Sequence, residues 1–409
     1  MEVAMDPACA VKCRFAVVGD VHGQFSSMVA LVQRWESLHR LRIDFVLQVG
    51  DLEPHRDEAD LSTMAAPSKH RMLGDFPRVL AGEIQLPWPV YFIGGNHEPY
   101  GWLEEHPHGF QLCHNLHYLG RAGVQRIGPL RIAALSGVHR VETYAAERPM
   151  LPEWQRQRTH ANGEGYHSRS KGRRISNKDF IGFTGQELGH VMAAAVEKDI
   201  EWELACIFDS LCGGDHHLSA EKLMPLAATL RPSQPEAEAE RIVQKMKGAV
   251  SCDDISEEHF VTFFADLLSR MKDPKRADLL RRFEALRKST HFVDVLVTHD
   301  WPAGMVVTSS EMKRTRPVGN EPCRLLLDVV KPALMVCGHM HTPFRNQAGE
   351  PLVRCVAKVP STHSIAVFEM VHGATGAGDS HIREVHPCDP LPSPHFAEED
   401  SDIDSDDDQ

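Results

Sequence analysis

No apolar run in this 409-residue chain approaches the roughly 20 residues needed to cross a bilayer, which argues against a membrane span. The opening MEVAMDPACAVKCRF lacks the apolar stretch and small-residue cleavage site of a secretory leader, so the expected setting is intracellular, cytoplasmic or nuclear. Ten cysteines are scattered without a single Cys-x-x-Cys pair, and several sit inside apolar runs, such as Cys337 in ALMVCG and Cys206 in ELACIF. That pattern excludes a zinc knuckle or a disulfide framework and fits buried free thiols in a reducing compartment. Basic charge is also scarce. The net charge is −13, and the segment 398–409 (EEDSDIDSDDDQ) carries eight acids and no base, leaving −5 for the rest. A broad basic footprint for a nucleic-acid backbone is therefore absent. The acidic tail reads as a solvated, disordered segment.

What is present is ordinary for a globular protein with a real core: 42% hydrophobic and 25% charged residues, over a length that allows two or three domains. Short apolar runs recur: 14–18, 44–49, 88–93, 131–136, 292–297, 333–337 and 363–370. Each is β-rich and closed by glycine or a polar cluster. SSMVALVQRWESL follows the first with helical spacing. The expected fold class is α/β with layered sheets, and ligand chemistry at the C-terminal ends of the strands.

Residues 141–180 have few aliphatics and read as a long loop in which Arg169, Lys171, Arg173 and Arg174 could meet an anion. Residues 186–288 read as an inserted all-α module. Aligning Leu218 with Ile255 gives two EF-hand-like loops, but Lys222 and His259 fall where a bidentate Glu is wanted, so calcium binding is not expected. The insert or the acidic tail could instead hold a protein partner. Lying between metal-type motifs, the insert could sit near the site. The expected division is 13–185 and 289–372 for one split catalytic domain, 186–288 for the insert and 373–409 for the tail.

Five blocks carry the chemistry: Gly19-Asp20-Val21-His22-Gly23, Gly50-Asp51, Gly95-Asn96-His97-Glu98, Thr298-His299-Asp300 and Gly338-His339-Met340-His341. Singly each is weak, since an Asp-x-His is often a surface turn. Jointly they place two Asp, one Asn and several His just after apolar strands. Residues i and i+2 of extended chain face one side, so Asp20 and His22 can grip one ion, while His339 and His341 can divide between two. A carboxylate such as Asp51 can bridge them. Two ions about 3.5–4 Å apart stabilise the attacking and leaving oxygens of an in-line displacement and make hydroxide available near neutral pH. Mixed imidazole and oxygen donors suit Mn, Fe or Zn better than calcium.

These blocks resemble, in order, the signature of the calcineurin-like metallophosphoesterase superfamily, over about 13–140 and 290–370. The resemblance implies a two-sheet sandwich flanked by helices. It implies one metal ion on Asp20, His22, Asp51 and His341, and a second on Asp51, Asn96, His299 and His339. It makes His97 the catalytic histidine, protonating the leaving oxygen or steadying the phosphate, with Glu98 orienting it. The function implied is hydrolysis of a phosphoester by a hydroxide bridging the two metals, in a phosphodiesterase or phosphatase. The Ser/Thr protein phosphatase branch fits poorly, because GDLEPHR replaces its Asp-Arg-Gly run and Gly95 stands where Arg is expected. The catalytic domain of RNA lariat debranching enzymes is nearer, through GDLEPHRDEADLSTMAAPSKHRMLGDF, YFIGGNHEPYGWL, NLHYLGRAGV and THDWP, which makes RNA an alternative substrate. Those enzymes typically carry Cys at the first metal position, where this chain has Asp20, and the insert and the lack of their C-terminal domain also depart from them.

Overall fold

The computed structural model describes residues 10–385 apart from 67–70, 149–176, 198, 213–217, 251–254, 273, 287–291, 309–314, 347–350 and 373–379. Its frame is two sheets. The first has strand order β15-β14-β1-β2-β3-β5-β4. Here β1 is Ala10–Val18, β2 Phe45–Gln48, β3 Val90–Phe92, β4 Phe110–Cys113, β5 Leu116–Tyr118, β14 Ile365–His372 and β15 Ser380–Val385. The second has order β12-β13-β11-β8-β7-β6. These are β6 Ala122–Ile127, β7 Leu130–Leu135, β8 Val295–Thr298, β11 Leu334–Cys337, β12 Phe344–Arg345 and β13 Leu352–Cys355. A separate two-stranded pair joins β9 Met305–Thr308 to β10 Thr315–Val318.

Strand alternation builds the layers. In β1, Phe15 and Val17 point between the sheets with Phe45, Leu47, Phe368, Ile132, Val295, Val297, Leu334 and Val336. The intervening Ala16 and Val18 face outward and pack with Phe25, Met28, Val32 and Trp35 of the helix Phe25–His39. On the other side Ala133, Leu135, Leu296 and Met335 meet the helices Gly185–Val196 and Glu321–Val330. The α/β, two-sheet arrangement flanked by helices is the one read from the sequence. Seven apolar runs singled out there each contain or overlap a strand, while the short edge strands β4, β6, β12 and β15 lack a continuous apolar run. Seven cysteines among the described residues are free thiols. None of the described helices is long and apolar enough to cross a membrane.

Between β7 and β8 the chain leaves the sheets for a set of helices with its own core, including Leu204, Phe208, Leu223, Met246, Phe260, Phe264 and Phe283. Leu218 and Ile255, paired in the sequence reading, are both buried in it. The calcium-loop centres at 213–217 and 251–254, the basic stretch 169–174 and the acidic tail lie outside the described residues. At the ends of the supposed long loop 141–180, Val141–Tyr144 and Lys178–Ile181 are short helices.

The helical segment touches the sandwich at the end remote from the metal-type motifs. Lys12, at the start of β1, pairs with Asp209, and Arg126, at the far end of β6, lies 3.8 Å from Glu257. Lys12 is about 25 Å of extended strand away from Asp20. The expectation that an insert between the third and fourth motifs could sit near the site is not met by these contacts: the chain leaves β7 at the ligand end, but the helix Gly185–Val196 carries it to the opposite end, where it re-enters at β8. Arg131 fixes that end. Its buried guanidinium donates to the carbonyls of Ala194, Ala195 and Glu197, capping the helix C-terminus, and to that of Phe292 at the return. Those carbonyls have no intrahelical donors of their own.

Two measurements check these features. Arg131→Ala removes the donors and should cost about 2–4 kcal/mol, read as a lower unfolding midpoint; an unchanged midpoint contradicts the role. His55 is fully buried, and burial pushes its pKa down to about 4. The unfolded chain therefore takes up its proton first. The stability this gives is complete above the unfolded value near 6.5 and is lost as pH falls toward 4, by up to about 3 kcal/mol. His55→Leu should flatten the acid limb of the stability profile by about one proton. Parallel limbs in the two proteins would rule this out.

Candidate metal centre

The site forms where strands of both sheets end. β1 runs into Asp20, β2 into Asp51, β3 into Asn96, β8 into His299 and β11 into His339. Glycines precede several of these because the loops nearly touch. A side chain at Gly95 would collide with the Asp51 carboxylate, and one at Gly338 with that of Asp20. His22, Asp51, Glu53, His339 and His341 all hold left-handed backbone, with φ from 46 to 65°. Such conformations are uncommon outside glycine and cluster where surrounding contacts over-determine the chain at functional sites. His22, His339 and His341 are therefore not on extended strand as the i, i+2 argument supposed. The tight loops aim them instead.

Three groups of side chains converge, each offering ligand atoms within 4.8 Å of one another: Asp20, His22 and His341; Asp51, His299 and His339; and His22, Glu53 and His97. In the first, His341 Nε2 lies 3.1 Å from Asp20 Oδ2 and 3.3 Å from His22 Nε2. In the second, His299 Nε2 lies 3.3 Å from Asp51 Oδ2 and 3.2 Å from Asn96 Oδ1, while its Nδ1 is 2.8 Å from the Val49 carbonyl. That carbonyl requires the proton on Nδ1, so Nε2 is the atom turned to the site. All seven residues singled out as ligands are thus brought to one place.

The carboxylates also brace the loops. Asp51 Oδ1 accepts the backbone N–H groups of Asn96 (2.7 Å) and His97 (2.9 Å), and Asp20 accepts that of His339. Burial works to raise the pKa of Asp51, but the charge and hydrogen bond of His299, with the charge of His97, hold it well below the usual carboxylate range. Asp20 is likewise lowered: burial opposes, and the hydrogen bond of His341 with the charge of His299 prevails. Burial would weaken His299 as a base, yet Asp51, through charge and hydrogen bond, and Asp20 raise it to about 10. Burial makes His22 and His339 weaker bases.

This donor set fits divalent cations. Two anionic carboxylates are buried among imidazoles, and the Nε2 atoms of His22 and His341 face each other at a distance where a shared proton or a cation must lie between them. A cation there takes the place of positive charge that the cluster otherwise holds as protons, above all on His299.

Glu53, which the sequence reading did not single out, stands where Glu98 was expected to face His97. Glu98, fully buried, accepts N–H groups from Leu52 (3.0 Å), Glu53 (3.1 Å) and Gly95 (3.2 Å), and so clamps the Asp51 loop to the Asn96 loop. Burial, with the charge of Asp51, pushes it up to about 8. The carboxylate facing His97 is Glu53, whose Oε1 lies 3.5 Å from His97 Nδ1 and 2.7 Å from His22 Nδ1. Burial pushes Glu53, too, up to about 8. Glu53 was missed because nothing in Gly50-Asp51-Leu52-Glu53 distinguishes a turn carboxylate from a ligand partner; only the left-handed turn aims it inward. Behind the loop, the Tyr100 hydroxyl donates to the Gly95 carbonyl, and the Arg121 guanidinium, ion-paired with Glu104, lies 4.3 Å from the Tyr100 ring centre.

Comparison with known proteins agrees with this geometry. Residues 13–171 match the model of the calcineurin-like phosphoesterase family. The lariat debranching enzyme of Gallus gallus is 37% identical over 144 residues, which is 35% of this chain and 27% of that protein. The Arabidopsis thaliana enzyme is 34% identical over 143 residues, 34% of each chain. The human enzyme is 37% identical over 131 residues, 32% of this chain and 24% of that protein. The chain therefore covers only about a quarter to a third of these relatives' length, and His299, His339 and His341 lie beyond the residues that match the family model. With both sheets and their converging loops in view, the structure agrees with the calcineurin-like phosphoesterase model that residues 13–171 match.

Proposed function

We propose that this chain hydrolyses phosphoesters with two divalent metal ions, and that the observation carrying this is the convergence of Asp20 and Asp51 with four imidazoles and Asn96 at the ends of both sheets. Asp20, His22 and His341 would hold one ion, Asp51, Asn96, His299 and His339 the other, with Asp51 reaching both. Divalent ions bound there supply Lewis acidity toward phosphoryl oxygens and bring the ionisation of water near neutral pH. Manganese, iron and zinc suit the oxygen and imidazole donors.

The chain's own groups do the rest. Asp51 and Glu98 hold the Asn96–His97 loop through its backbone, so the His97 ring is presented from a fixed base. His97, about a quarter exposed, is free to meet substrate and to place a proton on the leaving oxygen. Glu53 orients both His22 and His97 through their Nδ1 atoms, as carboxylates behind ligating histidines do. A phosphodiester of branched RNA is the second substrate reading. It is favoured by the relatives named lariat debranching enzyme.

The test loads the purified full chain with Mn²⁺ and assays bis-p-nitrophenyl phosphate and a synthetic 2′–5′ branched RNA. About two metal ions per chain are expected in the wild type, with activity down at least a hundredfold in Asp51→Asn. His97→Gln should keep its metal and lose kcat by about 10²–10⁴. Preference for the branched RNA would select the second reading. Failure to bind metal, or full activity in Asp51→Asn, would overturn the proposal.

A further inference from the structure

One cation beside the site has no role so far. Lys358 follows β13 in the segment Val356-Ala357-Lys358-Val359, which is fixed by backbone hydrogen bonds on both sides of the lysine, one of them to Asp20. Val359 N–H donates to the Asp20 carbonyl (2.9 Å), Ala357 N–H to His363 (3.0 Å), Val356 N–H to Cys337 (3.0 Å), and Gly19 N–H to Ser364 (2.9 Å). The contact is so close that a side chain at Gly19 would collide with the Ala357 carbonyl. The Lys358 backbone is therefore held beside a metal-type loop, and the residue is half-buried.

Its ammonium has no carboxylate within ion-pair distance among the described residues. Neighbouring cations are already taken up. Arg56 binds Asp60 and lies over Trp102, and Arg121 is buried against Glu104. A lysine is a compact charge on a flexible four-carbon stem, suited to meeting one oxygen without fixed geometry. A phosphoryl group carries more oxygens than two metal ions neutralise, and a preplaced donor at a remaining oxygen stabilises the charge gathering there.

We propose that Lys358 binds a non-bridging phosphoryl oxygen of the substrate, beside the Asp20 loop. This rests on the phosphoester reading, and inorganic phosphate is the probe that separates the two. The full chain, loaded with Mn²⁺, is titrated with phosphate by calorimetry as wild type, Lys358→Met and Lys358→Arg, and metal content and kcat/KM on bis-p-nitrophenyl phosphate are measured on the same samples. Expected are unchanged metal content in all three, phosphate affinity about tenfold weaker in Lys358→Met with a raised KM, and substantial recovery in Lys358→Arg. The salt dependence of phosphate binding should also become shallower in Lys358→Met. Equal phosphate affinity in wild type and Lys358→Met overturns the proposal, as does loss of metal in Lys358→Met, which would make the lysine structural. Weakened phosphate binding in a protein that hydrolyses no ester would leave the anion contact standing and remove the phosphoesterase reading alone.

Discussion

The carboxylate of Asp51 is a buried anion that two separate stretches of chain must satisfy. One oxygen takes the N–H groups of Asn96 and His97, and the other faces His299 from the second sheet. The Asp51 main-chain carbonyl takes the N–H groups of Val21 and His22. A buried charge left without such partners costs several kcal/mol. The β1, β2, β3 and β8 loops therefore cannot move apart independently. The strained left-handed turns at His22, Asp51 and Glu53 persist under this constraint, and the hydrogen bonds that hold the anion also aim Asn96, His97 and His299.

This interdependence explains what the sequence made legible. Asp20, His22, Asp51, Asn96 and His339 stand next to glycines after apolar runs, and His299 and His341 fall in the same kind of short polar cluster, a signal local enough to read directly. The two-sheet frame followed from the same runs, since central parallel strands are buried on both faces and read as unbroken apolar segments. Glu53 and Lys358 left no such trace. Their places come from turn geometry and from a strand return more than three hundred residues downstream of Asp20, and neither is encoded in nearby spacing. Glu98 was legible as important but not in its part, because a carboxylate beside a histidine reads as its partner until the backbone amides it binds are seen. The edge strands escaped for a different reason: half-exposed, they lack the apolar continuity that marks a central strand.

The helical segment between β7 and β8 is a second, nearly independent packing problem. Its aromatic core of Phe208, Phe260, Phe264 and Phe283 is closed by its own helices, and its ties to the sandwich through Lys12, Arg126 and Arg131 lie at strand ends opposite the ligands. These ties are separated from the ligands by the length of a strand.

Arg131 has a consequence for chain entropy. By holding the carbonyls of Ala194, Ala195 and Glu197 together with that of Phe292, it brings the two ends of the long excursion to one side chain. β7 and β8 are neighbouring parallel strands, so the polymer between them must close a loop whatever its length. Each doubling of a flexible connection adds only about 0.6 kcal/mol to closing it. The sandwich can therefore host a large insertion at this crossover with little thermodynamic penalty to the pairing that brings His299 beside Asp51.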